Sequence, residues 1–165
     1  MLSTQQKNES KYLTFRLGNE SYGIDILKVR EIIGMMEITP VPKTASRIRG
    51  VINLRGKIIP VLDMREKFQM PKIEIQRENC IITVMTETEG SQFLVGILVD
   101  SVNEVLKLSE DQIEPLPALG SDLHLDFVPG IAKIQSKVVI LLNIDAVISA
   151  ESLGDLQSLS KDLTL

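Results

Sequence analysis

The chain repeats itself, and a repeat fixes architecture before function is considered. Gly23–Ile32 aligns with Gly96–Val105 without a gap, keeping a G-I…V-x-E-[IV] skeleton. Further on, Gly50–Ile59 aligns with Gly130–Val139, each reading as a strand, a polar turn and a second strand. The order is the same in both copies, and the offset between them is about the length of a small five-stranded barrel. Two related β units are therefore expected. Their junction is expected near residues 70–80, where Met70, Pro71 and charged residues interrupt the pattern, with strand exchange between the units left open.

The segments around these repeats support the same class. Lys11–Leu17 alternates, with Leu13, Phe15 and Leu17 on one side and Tyr12, Thr14 and Arg16 on the other, as in a half-buried strand. Gly18-Asn19 reads as the turn of a hairpin returning through Ser21–Asp25. Apolar, β-branched runs of strand length recur at Gly50–Leu54, Lys57–Leu62, Cys80–Met85, Phe93–Val99, Phe127–Ile134 and Lys137–Ile144. Pro40 and Pro42 mark a loop whose counterpart carries Pro115 and Pro117, and Pro60 suggests an edge or a bulge. Little helix is expected: a turn or two around Asp25–Arg30, a turn opened by the Ser109…Gln112 capping pattern, and a short helix after Asn143. Ile26, Val29 and Ile32 would then share one helical stripe, with Val99, Val102 and Val105 as counterparts. The reading gives a tail over 1–10, a first barrel over 11–78, a second over 79–150, and a C-terminal tail over 151–165. In that last tail, Leu153, Leu156, Leu159 and Leu163 recur at helix-like spacing.

Composition and motifs argue against most chemistries. A formal net charge of −4 with scattered basic residues offers nothing to a phosphate backbone, so no nucleic-acid partner is expected. No apolar run approaches the ~20 residues that span a bilayer, and the polar N-terminus lacks a secretory signal, so a cytoplasmic protein without direct membrane insertion is expected. Cys80 is the only cysteine and reads as a buried small side chain. His124 is the only histidine and has no partners for a metal site or a catalytic triad. Phosphate-cradling glycine motifs are absent from the sequence. Asp25 and Asp63 follow apolar strands and read equally well as a carboxylate pair or as caps or turn residues, and without an acid/base partner they are not read as catalytic. No catalytic residue, metal or cofactor is expected.

The segments Tyr22–Ile32, Thr39–Pro42, Gly50–Gly56 (GVINLRG), Ile59–Asp63 and Val99–Val105 together resemble the CheW-like family of bacterial chemotaxis coupling proteins, from about Lys11 to Ala150. That resemblance implies an all-β fold of two SH3-like five-stranded barrels about a pseudo-twofold, with short helices and a helical tail. It also implies a non-catalytic adaptor linking the cytoplasmic tips of transmembrane chemoreceptors to the regulatory domain of the histidine kinase CheA, at arrays on the inner face of the membrane. The expected receptor-binding residues are Ile26, Val29, Glu31, Ile32, Arg55, Val99 and Val102, lining an apolar groove at the seam, with Arg55 paired to Glu31 beside it. The kinase-contacting residues are not identified. A coupler of a pilus-motility or other chemosensory pathway would share this physics. A small-molecule-binding barrel is the reading from another class.

Overall fold

A computed structural model of the protein describes residues 9–88, 90–116 and 127–149. Its strands are β1 (Ser10–Leu17), β2 (Glu20–Asp25), β3 (Val29–Gly34), β4 (Ile48–Leu54), β5 (Lys57–Asp63), β6 (Cys80–Thr88), β7 (Ser91–Val99), β8 (Ser101–Leu108), β9 (Ile113–Glu114), β10 (Gly130–Ile134) and β11 (Lys137–Leu142). Two short helices follow the repeated hairpins, α1 (Met64–Lys67) after β5 and α2 (Ile144–Ser149) after β11. Asp25 and Asp63 are caps and no carboxylate pair: Asp25 accepts from the Leu27 N–H, and Asp63 from those of Arg65 and Glu66. Ser109 and Gln112 form the expected capping box.

The strands form two sheets, ordered β8-β1-β2-β11-β10-β9 and β3-β6-β7-β5-β4. From the left-hand edge both run antiparallel, antiparallel, parallel, antiparallel, so the second sheet repeats the first strand for strand. Even the extra strand has its counterpart. Glu114 bridges Ile131, and the isolated bridge Thr39–Val51 occupies the equivalent place. The sequential division at 78/79 does not match the sheets. The hairpin β1–β2 of the first half lies with β8 to β11 of the second, while the hairpin β6–β7 of the second half lies with β3 to β5 of the first. The halves exchange hairpins because each crossover, through Ile26–Lys28 and through Asp100, carries the chain from one sheet to the other.

Three apolar clusters hold this arrangement. The largest joins the sheets: Leu13, Phe15 and Ile24 from one meet Ile82, Val84, Ile97 and Val99 from the other, with Ile144, Val147 and Ile148 of α2. Each sheet also fills its remaining face, one with Ile52, Ile59, Val61, Ile81 and Leu98, the other with Leu108, Ala132, Val139 and Leu141. Full burial of each such branched side chain contributes about 1.5–3 kcal/mol.

Several local expectations need amending. Val29–Gly34 is a strand and not helix, because it finds a ladder partner in β6, and tertiary pairing overrides a weak local pattern. Pro60 sits inside β5, between β4 and β7, and not on an edge strand. It is tolerated because Val51 directs its backbone groups to Thr39, so the Pro60 nitrogen faces β7, whose pairing starts only at Val61. Cys80 is half-buried and donates to the Glu78 carbonyl at 3.3 Å. Residues 1–8, His124 and the leucine-spaced tail over 151–165 lie outside the described residues.

Candidate functional site: the crossovers and the edge strands

Each crossover delivers the chain onto an edge strand, and each edge strand carries a bulge at the same place. In β3 the register slips between Val29 and Glu31 against Val84 and Thr83; in β8 it slips between Val102 and Val105 against Phe15 and Leu13. The extra residue reverses the alternation. Val29 and Ile32, three apart, therefore share the inter-sheet face with Val84 and Ile82, as Val102 and Val105 share it with Phe15 and Leu13. Of the stripes expected from helical spacing, the pairs Val29–Ile32 and Val102–Val105 share a face, and bulged strands make them do so.

These stripes do not leave an open slot. Val99 is 2% exposed and belongs to the inter-sheet core, so it presents no surface to a partner. Ile26, Val29 and Val102 are half-buried against the same core. The residues that emerge are Ile32, 46% exposed, and Val105, 50% exposed, which are equivalent positions of the repeat. Leu27, beside the first crossover, is 78% exposed. The groove expectation is corrected accordingly: the protein's own side chains fill the seam, and only the outer ends of the stripes meet solvent.

Glu31 points to the other face of β3 and meets Arg55. The guanidinium and carboxylate pair through two contacts, Nη2 to Oε1 at 2.5 Å and Nη1 to Oε2 at 3.2 Å. Hydrogen bonding from Arg55 lowers the Glu31 pKa, and the same contact raises that of Arg55. Arg55 follows β4 in a turn, at φ +52, closed by the Gly56 N–H donating to Asn53 Oδ1 at 2.9 Å. Since β3 and β4 are opposite edges of their sheet, a direct contact between them requires the sheet to roll on itself, as a small barrel does.

The polar contacts that pin the crossovers leave no trace in the residue pattern. Arg65 of α1 grips Asp100 through Nε to Oδ1 at 2.8 Å and Nη2 to Oδ2 at 2.7 Å, while the Gly18 N–H donates to Oδ2 at 2.7 Å. Burial, the largest single influence on Asp100, pushes its carboxyl up, but Arg65, the Gly18 amide and Arg16 together hold it below its ordinary value. At the other crossover Asp145 of α2 pairs with Lys28 at 2.5 Å and accepts from the buried Thr86 hydroxyl at 2.9 Å. The helix supplies the cation in one half and the anion in the other. The repeat alignment hides this relation, because Arg65 and Asp145 fall outside its matching blocks.

Two rolled sheets that exchange hairpins, filled by side chains and with their polar contacts spent on shape, define a protein-interaction module. The CheW-like domain family model matches residues 11–152. Chemotaxis protein CheW of Klebsiella aerogenes is 38% identical over 151 residues, covering 92% of this chain and 89% of that one. Chemotaxis protein CheW of Rhizobium meliloti is 32% identical over 152 residues, covering 87% of this chain and 96% of that one. Protein FrzA of Myxococcus xanthus is 28% identical over 144 residues, covering 86% and 87%. The crystal structure of the scaffolding protein TtCheW from Thermoanaerobacter tengcongensis superposes with a TM-score of 0.73 at 38% identity, covering 84% of this chain and 91% of that one. The chain belongs to the CheW-like family.

Proposed function

We propose that this protein is a non-catalytic adaptor that couples the cytoplasmic tips of chemoreceptors to the histidine kinase CheA in cytoplasmic arrays at the membrane. Family membership supports the adaptor class, and the relatives named for chemotaxis support the pathway. Among the described residues no helix is long and apolar enough to cross a membrane, which suits an array component held by its partners. The observation that carries the receptor assignment is the pair of bulged edge strands, each turning one branched side chain, Ile32 or Val105, outward from the inter-sheet core. A receptor helix would take these as anchors, with Ile26, Val29 and Val102 as half-buried flanks and the Glu31–Arg55 pair supplying charge beside them. Val99 supports the site from beneath.

The test is co-sedimentation of the purified protein with receptor signalling domains and CheA, reading kinase activity in the pellet. Arg55→Ala is expected to cut receptor co-sedimentation severalfold with an almost unchanged melting temperature, because the Arg55 side chain is 69% exposed. Wild-type recruitment by the variant, or a collapsed melt, would remove Arg55 from the site. Ile32→Glu is expected to lose receptor binding while keeping its circular dichroism. The likeness to FrzA supports a second reading, a coupler for a pilus-motility or other chemosensory pathway. Wild-type protein that recruits neither chemotaxis receptor nor CheA, yet remains folded, would favour it.

A further inference from the structure

The repeat places a second glutamate, Glu104, where the first half has Glu31. Both are set by the same device on the neighbouring inner strand. The Thr83 hydroxyl donates to the Glu31 carbonyl at 3.2 Å, and the Thr14 hydroxyl donates to the Glu104 carbonyl at 2.7 Å while accepting from the Glu104 N–H at 3.1 Å. Both glutamates sit at a bulge on an edge strand; Glu31 meets the turn of the repeated hairpin directly, and Glu104 lines a cleft with the residues flanking the equivalent turn. In the first half that turn carries Arg55, which grips Glu31. In the second it carries Gln135, held at φ +57 as Arg55 is at +52, and among the described residues no ion pair forms at Glu104. What remains is an open cleft between β8 and the β10–β11 turn, lined by Ser21, Asn103, Glu104, Ile134 and Lys137.

Lys137 does not account for the difference, because its equivalent Lys57 stands beside Arg55 in the first half. Every arginine of the chain lies among the described residues, so none from elsewhere in this protein fills the place. We propose that the Glu104 cleft receives an arginine from a tight turn of a partner protein, completing between chains the pair that Arg55 completes within one. The first half displays the occupant: a guanidinium presented by a turn and seated in two contacts on a glutamate that its strand holds in place. Ser21 and Asn103 add polar groups at the rim, and Ile134 gives the arginine stem an apolar wall. This inference does not depend on the receptor and kinase assignment.

The test uses the full-length protein and a cyclic hairpin peptide carrying the Val51–Pro60 sequence, titrated while amide NMR shifts are followed. Shifts are expected at Ser21, Asn103, Glu104 and Ser136, and they should weaken about fivefold with a peptide bearing Gln in place of the arginine. Glu104→Gln should weaken the wild-type peptide to the same degree. Gln135→Arg should abolish the shifts by closing the cleft with its own guanidinium, and should leave the melting temperature at or above that of the wild type. The proposal is overturned if the Gln-bearing peptide shifts the same amides equally, if Glu104→Gln binds unchanged, or if the shifts map elsewhere. Free arginine methyl ester binding as well as the peptide would also overturn it, since a protein turn would then not be the feature recognised.

Discussion

Gly50→Ala is expected to destabilise the protein by about 3 kcal/mol or more, while Gly130→Ala, its repeat equivalent, costs about 1–2 kcal/mol. Gly50 has φ +146, a conformation that side chains rarely adopt, and a Cβ added there would lie 2.2 Å from the Thr39 carbonyl oxygen. That oxygen cannot retreat. It accepts from the Val51 N–H at 2.9 Å, and Thr39 donates back to Val51 at 2.8 Å, so relief of the clash would break the bridge that covers the edge of β4. At Gly130 the nearest atom is the movable Ile113 methyl at 2.7 Å, with the Glu114 carbonyl oxygen at 2.9 Å. Urea denaturation of both variants checks the difference. Equal losses would mean that the positive φ contributes nothing.

The second large effect falls on the Arg65–Asp100 contact. Arg65→Ala is expected to cost about 2–4 kcal/mol, because it leaves a partly buried carboxylate without its two charge-assisted hydrogen bonds and frees the Pro71 carbonyl that Arg65 also holds at 2.8 Å. In a domain of this size that corresponds to a fall of about 6–12 °C in melting temperature. The contact also predicts a pH dependence. Asp100 titrates below its ordinary value of 3.8 in the folded state, so its stabilisation is fully present above that value and is lost as pH falls through the folded value. The gap in stability between wild type and Asp100→Asn should therefore be widest near about pH 7 and shrink toward about pH 3. A gap that stays constant over this range would show that Asp100 acts through shape rather than charge.

Arg65 and Asp100 matter for more than their energy. Together with the Asn79 side chain, which donates to the Asp100 carbonyl at 3.0 Å, they tie α1, the β1–β2 turn, the connection before β6 and the second crossover to one point. The Lys28–Asp145 pair ties the first crossover with the signs reversed. Pairing each crossover with the equivalent helix of the other half would set Arg65 against Lys28 and Asp145 against Asp100, like charges in both places. Two halves with nearly the same apolar pattern thus carry a charge code for the exchanged arrangement.

Much of the architecture can be read from the order of residues. The duplication, eight of the strands and the three capped turns follow from short-range patterns: alternation, turn glycines and capping side chains; the Arg55–Glu31 pair, 24 residues apart, forms only because the sheet rolls. Strand β3 escaped because six residues that touch a bulge cannot show a clean period of two, and their three-residue spacing imitates a helix. The number of β units and their internal design are therefore local properties, written in which side chains face inward. Which hairpin joins which sheet, the burial of Val99, the bulge that sets Val29 and Ile32 on one face of a strand, and the lone Glu104 beside Gln135 were settled by the fold itself. Equivalent strands of a duplicated chain compete for the same partners on equal local terms, and only contacts between residues far apart along the chain break the tie.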